Sequence, residues 1–230
     1  MNETGRVLVV DDDVTVRDVV RRYLELAGHQ VELAGDGEQA LRRIAEQEPD
    51  LVVLDLMLPG VDGLEVCRRL RARSAVPVVM LTALGEEEDR IAGLRLGADD
   101  YVTKPFSPRE LALRVTSVLR RSRVPAERTG AELVDGDLRV DVGARAVWLG
   151  GRELPLTARE FDLLVFFLSH RGKAFSRTEL LSRVWGWEFG DQSTVTVHVR
   201  RLREKVEVDS ARPVRIATVW GVGYRYDGGS

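Results

Sequence analysis

The chain has 230 residues and a formal net charge of −3, with 44% hydrophobic and 31% charged residues; this is the balance of a soluble globular protein with one large domain or two ordinary ones. The longest apolar stretch is about seven residues (75–81), far short of the ~20 a membrane span needs, and residues 1–6 lead into no signal-peptide core. The expectation is a cytoplasmic protein with no membrane partner. Cys67 is the only cysteine, which excludes a disulfide framework and a cysteine-built metal site.

The first half alternates between two periods. Residues 7–10 are an apolar run fit for a buried strand. The spacing of Val16, Val19, Val20, Tyr23, Leu24 and Ala27 predicts a helix over 14–27, capped by Gly28. A strand over 31–34, a helix over 38–46 and a strand over 51–54 follow, and Pro59 and Gly60 break the chain. Next come a helix over 64–73, a strand over 76–81, a helix over 86–96 ending at Gly97, and a strand over 101–103. Ser107-Pro108-Arg109-Glu110 reads as a capping box with Pro at the first helical position, opening a helix that runs to about residue 121. Five strand–helix pairs with continuous apolar strands predict an α/β fold, a parallel sheet covered on both faces.

Residues 122–130 lack periodicity and contain Pro125, Thr129 and Gly130, so they read as a linker. The split sharpens the charge. Residues 1–122 hold 17 basic against 22 acidic residues, and residues 123–230 hold 17 against 15. An acidic half joined to a mildly basic one suggests different partners. Of the three lysines, only Lys104 falls in the acidic half. The second half opens with short strands broken by Gly136, Gly143 and Gly150-Gly151. Thr157 to Glu160 caps a helix expected to bury Phe161, Leu164, Val165 and Leu168, and Ser176 to Glu179 caps a second. A third helix is expected over 192–206, then two strand-like runs, 214–219 and 224–226.

Ligands of an open parallel sheet bind at the carboxyl ends of its strands. Here those ends carry Asp11-Asp12-Asp13, Asp55, Thr82 and Thr103-Lys104-Pro105. Close carboxylates repel one another unless a cation neutralises them, and Mg²⁺ prefers such oxygen ligands. No GxGxxG follows the first strand, so a dinucleotide fold is disfavoured. An aspartate can act as nucleophile and form an aspartyl phosphate, with a lysine and a threonine holding the phosphoryl oxygens. Any one of these residues alone would read as an ordinary loop residue; complementary chemistry at four strand ends favours a site.

The segments VLVVDDD (7–13), LVVLDLMLPGVDG (51–63), VVMLTA (78–83) and GADDYVTKPFSPRELALRV (97–115) resemble the receiver domains of two-component response regulators. The resemblance covers residues 5–121 and implies a flavodoxin-like, doubly wound five-stranded sheet. It implies that Asp11, Asp12 and Asp55 hold Mg²⁺ together with the Met57 carbonyl. Asp55 would be the phosphoacceptor, Thr82 and Lys104 would bind the phosphoryl group, and Tyr101 would be an aromatic switch. For Tyr101 a half-buried strand aromatic is the alternative. A phosphoryl group adds about −2 of charge to a site already rich in carboxylates, so Mg²⁺ and Lys104 are needed to hold it. In the subfamily with winged-helix outputs, matching charges pair across a symmetric dimer: Arg90 with Glu110, Asp100 with Arg114, Asp99 with Arg121. A solvated charged face is the alternative, since single exposed pairs contribute only ~0–1 kcal/mol.

In the third helix of the second half, Val195, Val199, Leu202 and Val206 form one stripe. The other face shows Ser193, Thr196, Val197, Arg200 and Arg201, with Arg203 nearby, a set suited to phosphates and base edges in a major groove; an ordinary amphipathic helix is the alternative. LTAREFDLLVFFLSHRGKAFSRTELLSRVW (156–185), this helix and TVWGVGYRY (218–226) resemble the winged helix-turn-helix output domain of OmpR/PhoB-type regulators. That implies a recognition helix at 192–206, a hairpin wing around Gly221 and double-stranded promoter DNA as partner. The loop at 185–190 would meet RNA polymerase, or its aromatic residues would pack locally. Members often carry Arg where Trp220 stands, and some carry Arg at Ser193. Trp220 is expected to pack under the wing with no minor-groove contact, leaving Arg225 or Arg215 for phosphates.

The expected domains are a receiver at 1–121, a linker at 122–130 and a DNA-binding domain at 131–230. The expected function is a response regulator that takes a phosphoryl group from a sensor histidine kinase, forms a homodimer when phosphorylated and regulates transcription. His29, His170 and His198 are scattered, so the phosphohistidine belongs to the partner. An enzyme of the haloacid-dehalogenase type would place an acid two residues after its nucleophile, where this chain has Met57; no enzyme activity is therefore expected. A phosphorylation-independent DNA binder is the second rival, disfavoured by the complete acidic, threonine and lysine set.

Overall fold

The computed structural model describes residues 4–83, 93, 96–122, 132–187 and 191–229. The chain divides into two compact units, residues 1–123 and 124–230.

In the first unit, β1 (Arg6–Val10), β2 (Gln30–Ala34), β3 (Leu51–Asp55), β4 (Val78–Ala83) and β5 (Asp100–Lys104) form one parallel sheet in the order β2-β1-β3-β4-β5. Four helices are described in full: α1 (Val14–Leu26), α2 (Gly37–Glu46), α3 (Gly63–Arg71) and α4 (Pro108–Ser122). Side chains alternate across a strand. Val7 and Val9, Leu51 and Val53, and Val79 and Leu81 therefore share one face, packed on Val20 and Leu24 of α1 and on Leu111, Val115 and Leu119 of α4. The intervening residues Leu8, Val52, Leu54 and Met80 are buried as well. Strands covered on both faces need apolar residues at every position, which is why they read as unbroken runs. The helix expected over 86–96 lies mostly outside the described residues; Gly93 and Leu96 within it are helical.

Strand ends differ from expectation at the polar residues. β3 includes Asp55, β4 starts at Val78 and includes Thr82, and β5 runs from Asp100 to Lys104. Hydrophobic pattern cannot see a strand past its last apolar residue, whereas ladder pairing such as Thr82 with Thr103 continues through it. The linker expected at 122–130 lies outside the described residues, apart from Ser122 at the end of α4.

The second unit opens with an antiparallel sheet, β6 (Glu132–Asp135), β7 (Leu138–Asp141), β8 (Ala146–Leu149) and β9 (Arg152–Glu153). Then come α5 (Ala158–Leu168), β10 (Ala174–Ser176), α6 (Arg177–Leu180), α7 (Ser193–Val206), β11 (Ile216–Val219) and β12 (Gly223–Tyr226), with β10-β12-β11 forming a second sheet. The two capping boxes expected in this unit are present: Thr157 with Glu160, and Ser176 with Glu179. The helix begun by α6 continues as a π-helical turn, Leu181–Trp185, and stops at Gly186, whose φ of 78° lies in the left-handed region that favours glycine. Phe161, Leu164 and Leu168 of α5 are buried as expected, whereas Val165 is only partly buried, at the edge of the core. The core gathers Phe167, Phe175, Trp185, Val195, Val199, Leu202 and Tyr226.

Candidate functional site

Asp11 follows β1, and Asp55 ends β3, two strands that lie side by side. The chain turns outward in opposite directions on either side of this pair, so a crevice opens at their carboxyl ends. Asp11, Asp12 and Asp55 place ligand oxygens within 4.8 Å of one another. Asp11 and Asp55 are buried and Asp12 is exposed. Lys104, at the end of β5, donates from Nζ to Oδ2 of Asp11 and to Oδ2 of Asp55, each at 2.8 Å. Burial pushes the Asp11 carboxyl above its usual range, even against its hydrogen bond to Lys104. Burial pulls Lys104 down, but its bonds to Asp11 and Asp55 and their charges more than offset this, so it stays protonated. The third aspartate of the triplet does something else. Asp13 caps α1, accepting from the backbone N–H of Thr15 at 2.7 Å and of Val16 at 3.3 Å.

Three carboxylates facing one ammonium leave excess negative charge in a partly buried pocket. A divalent cation of hard-oxygen preference suits that donor set. Thr82 is buried near the end of β4, beside Thr103, and Ala83 pairs with Lys104. Tyr101 is buried on β5, which fits both readings of it. The Met57 side chain is 59% exposed, while its backbone N–H donates to Oδ1 of Asp55 at 3.3 Å, so the loop folds over the carboxylate.

That loop is held by a close approach. A Cβ on Gly63 would lie 2.1 Å from the Asp55 carbonyl oxygen. Gly63→Ala is expected to cost about 1–3 kcal/mol through overpacking, read as a lower thermal midpoint in the receiver's circular dichroism. An unchanged midpoint would show that the backbone under Asp55 yields freely.

The charged residues expected on a dimer face are distributed differently. Arg90 lies outside the described residues, and Arg121 is in the last turn of α4. Asp99 is fully buried: it accepts from Arg71 Nη2 at 3.0 Å and from the Val78 N–H at 2.9 Å. Within the single chain Asp99, expected to meet Arg121 across a dimer, thus ties the start of β4 to the end of α3. Arg71, which also donates to the Gly97 carbonyl at 2.9 Å, carried no signal beyond its place in a basic helix end. Asp100 is buried against Arg114 at 3.3 Å, and Glu110 accepts from the same Arg114 at 2.6 Å, so both contacts form within one chain.

In the second unit, Val195, Val199, Leu202 and Val206 are buried, as their spacing predicted. Thr196 and Arg200 are exposed and Ser193 is half-buried. Arg201 corrects the expectation. It is 7% exposed and reaches Glu160 of α5 at 2.7 Å, because it lies about 100° round the helix from Arg200. Val197 is buried too. Arg203 donates to the Ile216 carbonyl at 2.6 Å and to Thr218 Oγ1 at 2.9 Å, with its guanidinium over the Tyr224 ring. Arg215, expected to be free for phosphates, is buried against Asp135, Asp137 and the Val206 carbonyl. Arg225 pairs with Asp227. Trp220 does not pack under the wing but stands 90% exposed. Trp185 and Trp187 are buried, so local packing accounts for both; residues 188–190 of their loop lie outside the described residues.

A five-stranded parallel sheet with an acidic crevice and one bridging lysine, followed by a unit that among the described residues has three α-helices and a C-terminal hairpin, is the architecture of a receiver linked to a DNA-binding domain. Residues 7–116 match the response regulator receiver domain, and residues 151–226 match the C-terminal domain of transcriptional regulatory proteins. The chain is 44% identical over 236 residues to the transcriptional regulatory protein ResD of Bacillus subtilis, covering 100% of this chain and 98% of ResD. It is 45% identical over 226 residues to the sensory transduction protein RegX3 of Mycolicibacterium smegmatis, covering 96% and 99%. Among solved structures, the response regulator DrrB, a Thermotoga maritima OmpR/PhoB homologue, aligns with a TM-score of 0.52 at 35% identity, over 98% of this chain and 100% of that one. The chain belongs to the OmpR/PhoB-type response regulators, a family of transcription regulators rather than enzymes. Among the described residues, no helix is long and apolar enough to cross a membrane.

Proposed function

We propose that Asp55 accepts a phosphoryl group from the phosphohistidine of a sensor histidine kinase, with Mg²⁺ held by Asp11, Asp12, Asp55 and the Met57 carbonyl. The observation that carries this is the cluster of three carboxylates, two of which, Asp11 and Asp55, are bridged by Lys104. An Asp55 oxygen attacks phosphorus, the P–N bond breaks, and the imidazole leaves with the bonding electrons and takes up a proton. When bound, the metal offsets charge on the phosphoryl oxygens. Lys104 moves from the Asp55 carboxylate to a phosphoryl oxygen, and Thr82 donates to another. Their shift draws on the ends of β4 and β5, with Tyr101 following, and biases the surface that ends in α4.

Residues 1–121 act as the receiver, 122–130 as the linker and 131–230 as the DNA-binding domain. The phosphorylated receiver forms a homodimer through Arg90, Asp100, Glu110, Arg114 and Arg121. Within that dimer, Arg114 would exchange its own chain's Asp100 or Glu110 for the partner copy's. Asp99, which meets Arg71 within its own chain, would turn to the partner copy's Arg121. The paired domains bind promoter DNA in the cytoplasm through Ser193, Thr196 and Arg200, with Arg203 holding the wing. RNA polymerase is met by parts of the 185–190 loop other than its two buried tryptophans.

Phosphorylation with acetyl phosphate and Mg²⁺ is expected to raise affinity for a selected duplex, and chelation of the metal to abolish the gain; equal affinity in both states would overturn the reading. Arg200→Ala is expected to weaken binding and lower the salt slope by about 1. Arg201→Ala is expected to lower the midpoint of unfolding instead. If Arg201 rather than Arg200 changed the salt slope, the assigned face would be wrong.

A further inference from the structure

The helices α2 and α3 follow β2 and β3 and lie side by side, but they touch unevenly. At their first turns they are clamped. A Cβ on Gly37 of α2 would lie 2.1 Å from the Val61 carbonyl oxygen and 2.9 Å from Cγ2 of Val66 on α3. At their far ends they part and leave a cleft of about 500 Å³, within the size range of small-molecule sites. Its walls include Leu41 and Ile44 of α2 and Leu70 of α3. Leu41 and Ile44 are only half-buried, so the cleft leaves apolar surface uncovered. Ser74 Oγ donates to Glu48 Oε1 at 2.6 Å, joining the loops that follow the two helices.

The rim is basic. Arg68, Arg69 and Arg73 line the cleft, against Glu48 alone among the acidic residues there. Arg68 and Arg69 share a single carboxylate, Glu65, at 2.6 Å each. Arg73 is exposed and pairs with no carboxylate among the described residues. Cations in a last turn suit the helix dipole, but Arg73 lies past α3, which ends at Arg71. An arginine fork matches a carboxylate with two parallel hydrogen bonds. An open apolar wall beside such a fork is complementary to an anion carried on a compact apolar body.

We propose that this cleft binds a small amphipathic anion, a carboxylate on a compact aromatic or branched body, and that its occupancy slows phosphorylation of Asp55. The carboxylate meets Arg73 at the rim, and the apolar body covers Leu41, Ile44 and Leu70. The route to Asp55 is short. The nine residues of α3 start at Gly63, where a Cβ would lie 2.1 Å from the Asp55 carbonyl oxygen and the N–H donates to the Leu56 carbonyl at 3.1 Å. A ligand that braces the open ends of α2 and α3 fixes α3 against the clamp at Gly37, and with it the loop at 57–62 beside the carboxylate. A ligand shifts such an equilibrium only by its preference for one arrangement; here it prefers the unphosphorylated one. The regulation rests on the phosphoacceptor reading of Asp55, and the binding does not.

The test uses the full chain, with naphthoate as the probe and its uncharged amide as the control, followed by titration calorimetry. Naphthoate is expected to bind at a single site, and the amide about tenfold more weakly, the scale of a hydrogen bond to a charged group. Arg73→Glu is expected to weaken naphthoate by about the same factor or more. Ala45→Trp is expected to fill the cleft and abolish binding; Ala45 lines the cleft and is exposed, so the fold has room for the indole. Arg22→Glu, at an exposed position of α1 outside the cleft, should leave binding unchanged. Saturating naphthoate is expected to slow acetyl phosphate labelling of the wild type about fivefold or more and to leave Ala45→Trp unaffected. No heat of binding, equal affinity for acid and amide, or a loss in Arg22→Glu as large as in Arg73→Glu overturns the site. Binding with an unchanged labelling rate overturns the regulation. A wild type that takes no label even without the probe defeats the phosphoacceptor reading instead, while calorimetry still decides the binding.

Discussion

Asp55→Asn is expected to lower phosphoryl incorporation from acetyl phosphate by more than about 1,000-fold, the scale of losing an essential nucleophile, and to remove any phosphodonor-dependent gain in DNA affinity. The amide keeps the shape and an oxygen acceptor for Lys104, which now donates at 2.8 Å, but it cannot form an acyl phosphate. The fold should survive, because one charge leaves a cluster of three carboxylates within 4.8 Å. Asp13→Asn is the matching control. Asp13 lies in the same acidic triplet but caps α1, and asparagine caps as well as aspartate, so labelling should persist. Labelling is read by gel retardation of the phosphorylated band. Persistent labelling in Asp55→Asn, or loss in Asp13→Asn, would overturn the assignment.

The second large effect is structural. Glu160→Ala is expected to destabilise the DNA-binding unit by about 3–5 kcal/mol, the cost of leaving buried partner charges unpaired. Glu160 is fully buried, with Arg201 and Lys205 each at 2.7 Å, and its side chain accepts from the Thr157 N–H at 2.9 Å, closing the cap of α5. Burial pushes its carboxyl up, but the charges of Arg201 and Lys205 and the hydrogen bonds outweigh this, and it titrates below the usual glutamate range. A lowered folded value contributes stability above the unfolded value, near pH 4.3, and loses it as pH falls through the folded one. Glu160→Gln should therefore flatten the acid side of the stability profile. All four tryptophans lie in residues 148–220, so tryptophan fluorescence during urea unfolding reports on this unit alone. A loss under about 1 kcal/mol would mean that water compensates the cations.

Much of the receiver was legible because it is written locally. Unbroken apolar runs marked β1, β3 and β4, helical spacing marked α1 and α2, and acidic, hydroxyl and ammonium groups after the runs pointed to a rim. The boxes Thr157–Glu160 and Ser176–Glu179 were readable from four residues each. Assignments that needed an orientation fared worse. Asp99 and Asp100 are adjacent and alike in sequence, yet one is committed to Arg71 and the other to Arg114. Arg200 and Arg201 are likewise adjacent, and a single step round the helix separates solvent from Glu160.

The sequence by itself determined the α/β class of the first unit, the helical order of the second and the residue types at the strand ends, because hydrophobic period and capping act over a few neighbours. Only the tertiary structure decided which atoms meet. Asp11, Asp55 and Lys104 come together over separations of 44 to 93 residues because β1 lies between β2 and β3. Tertiary structure also decided which charges are held inside and left Trp220 in water, since burial depends on what the rest of the chain places against a side chain.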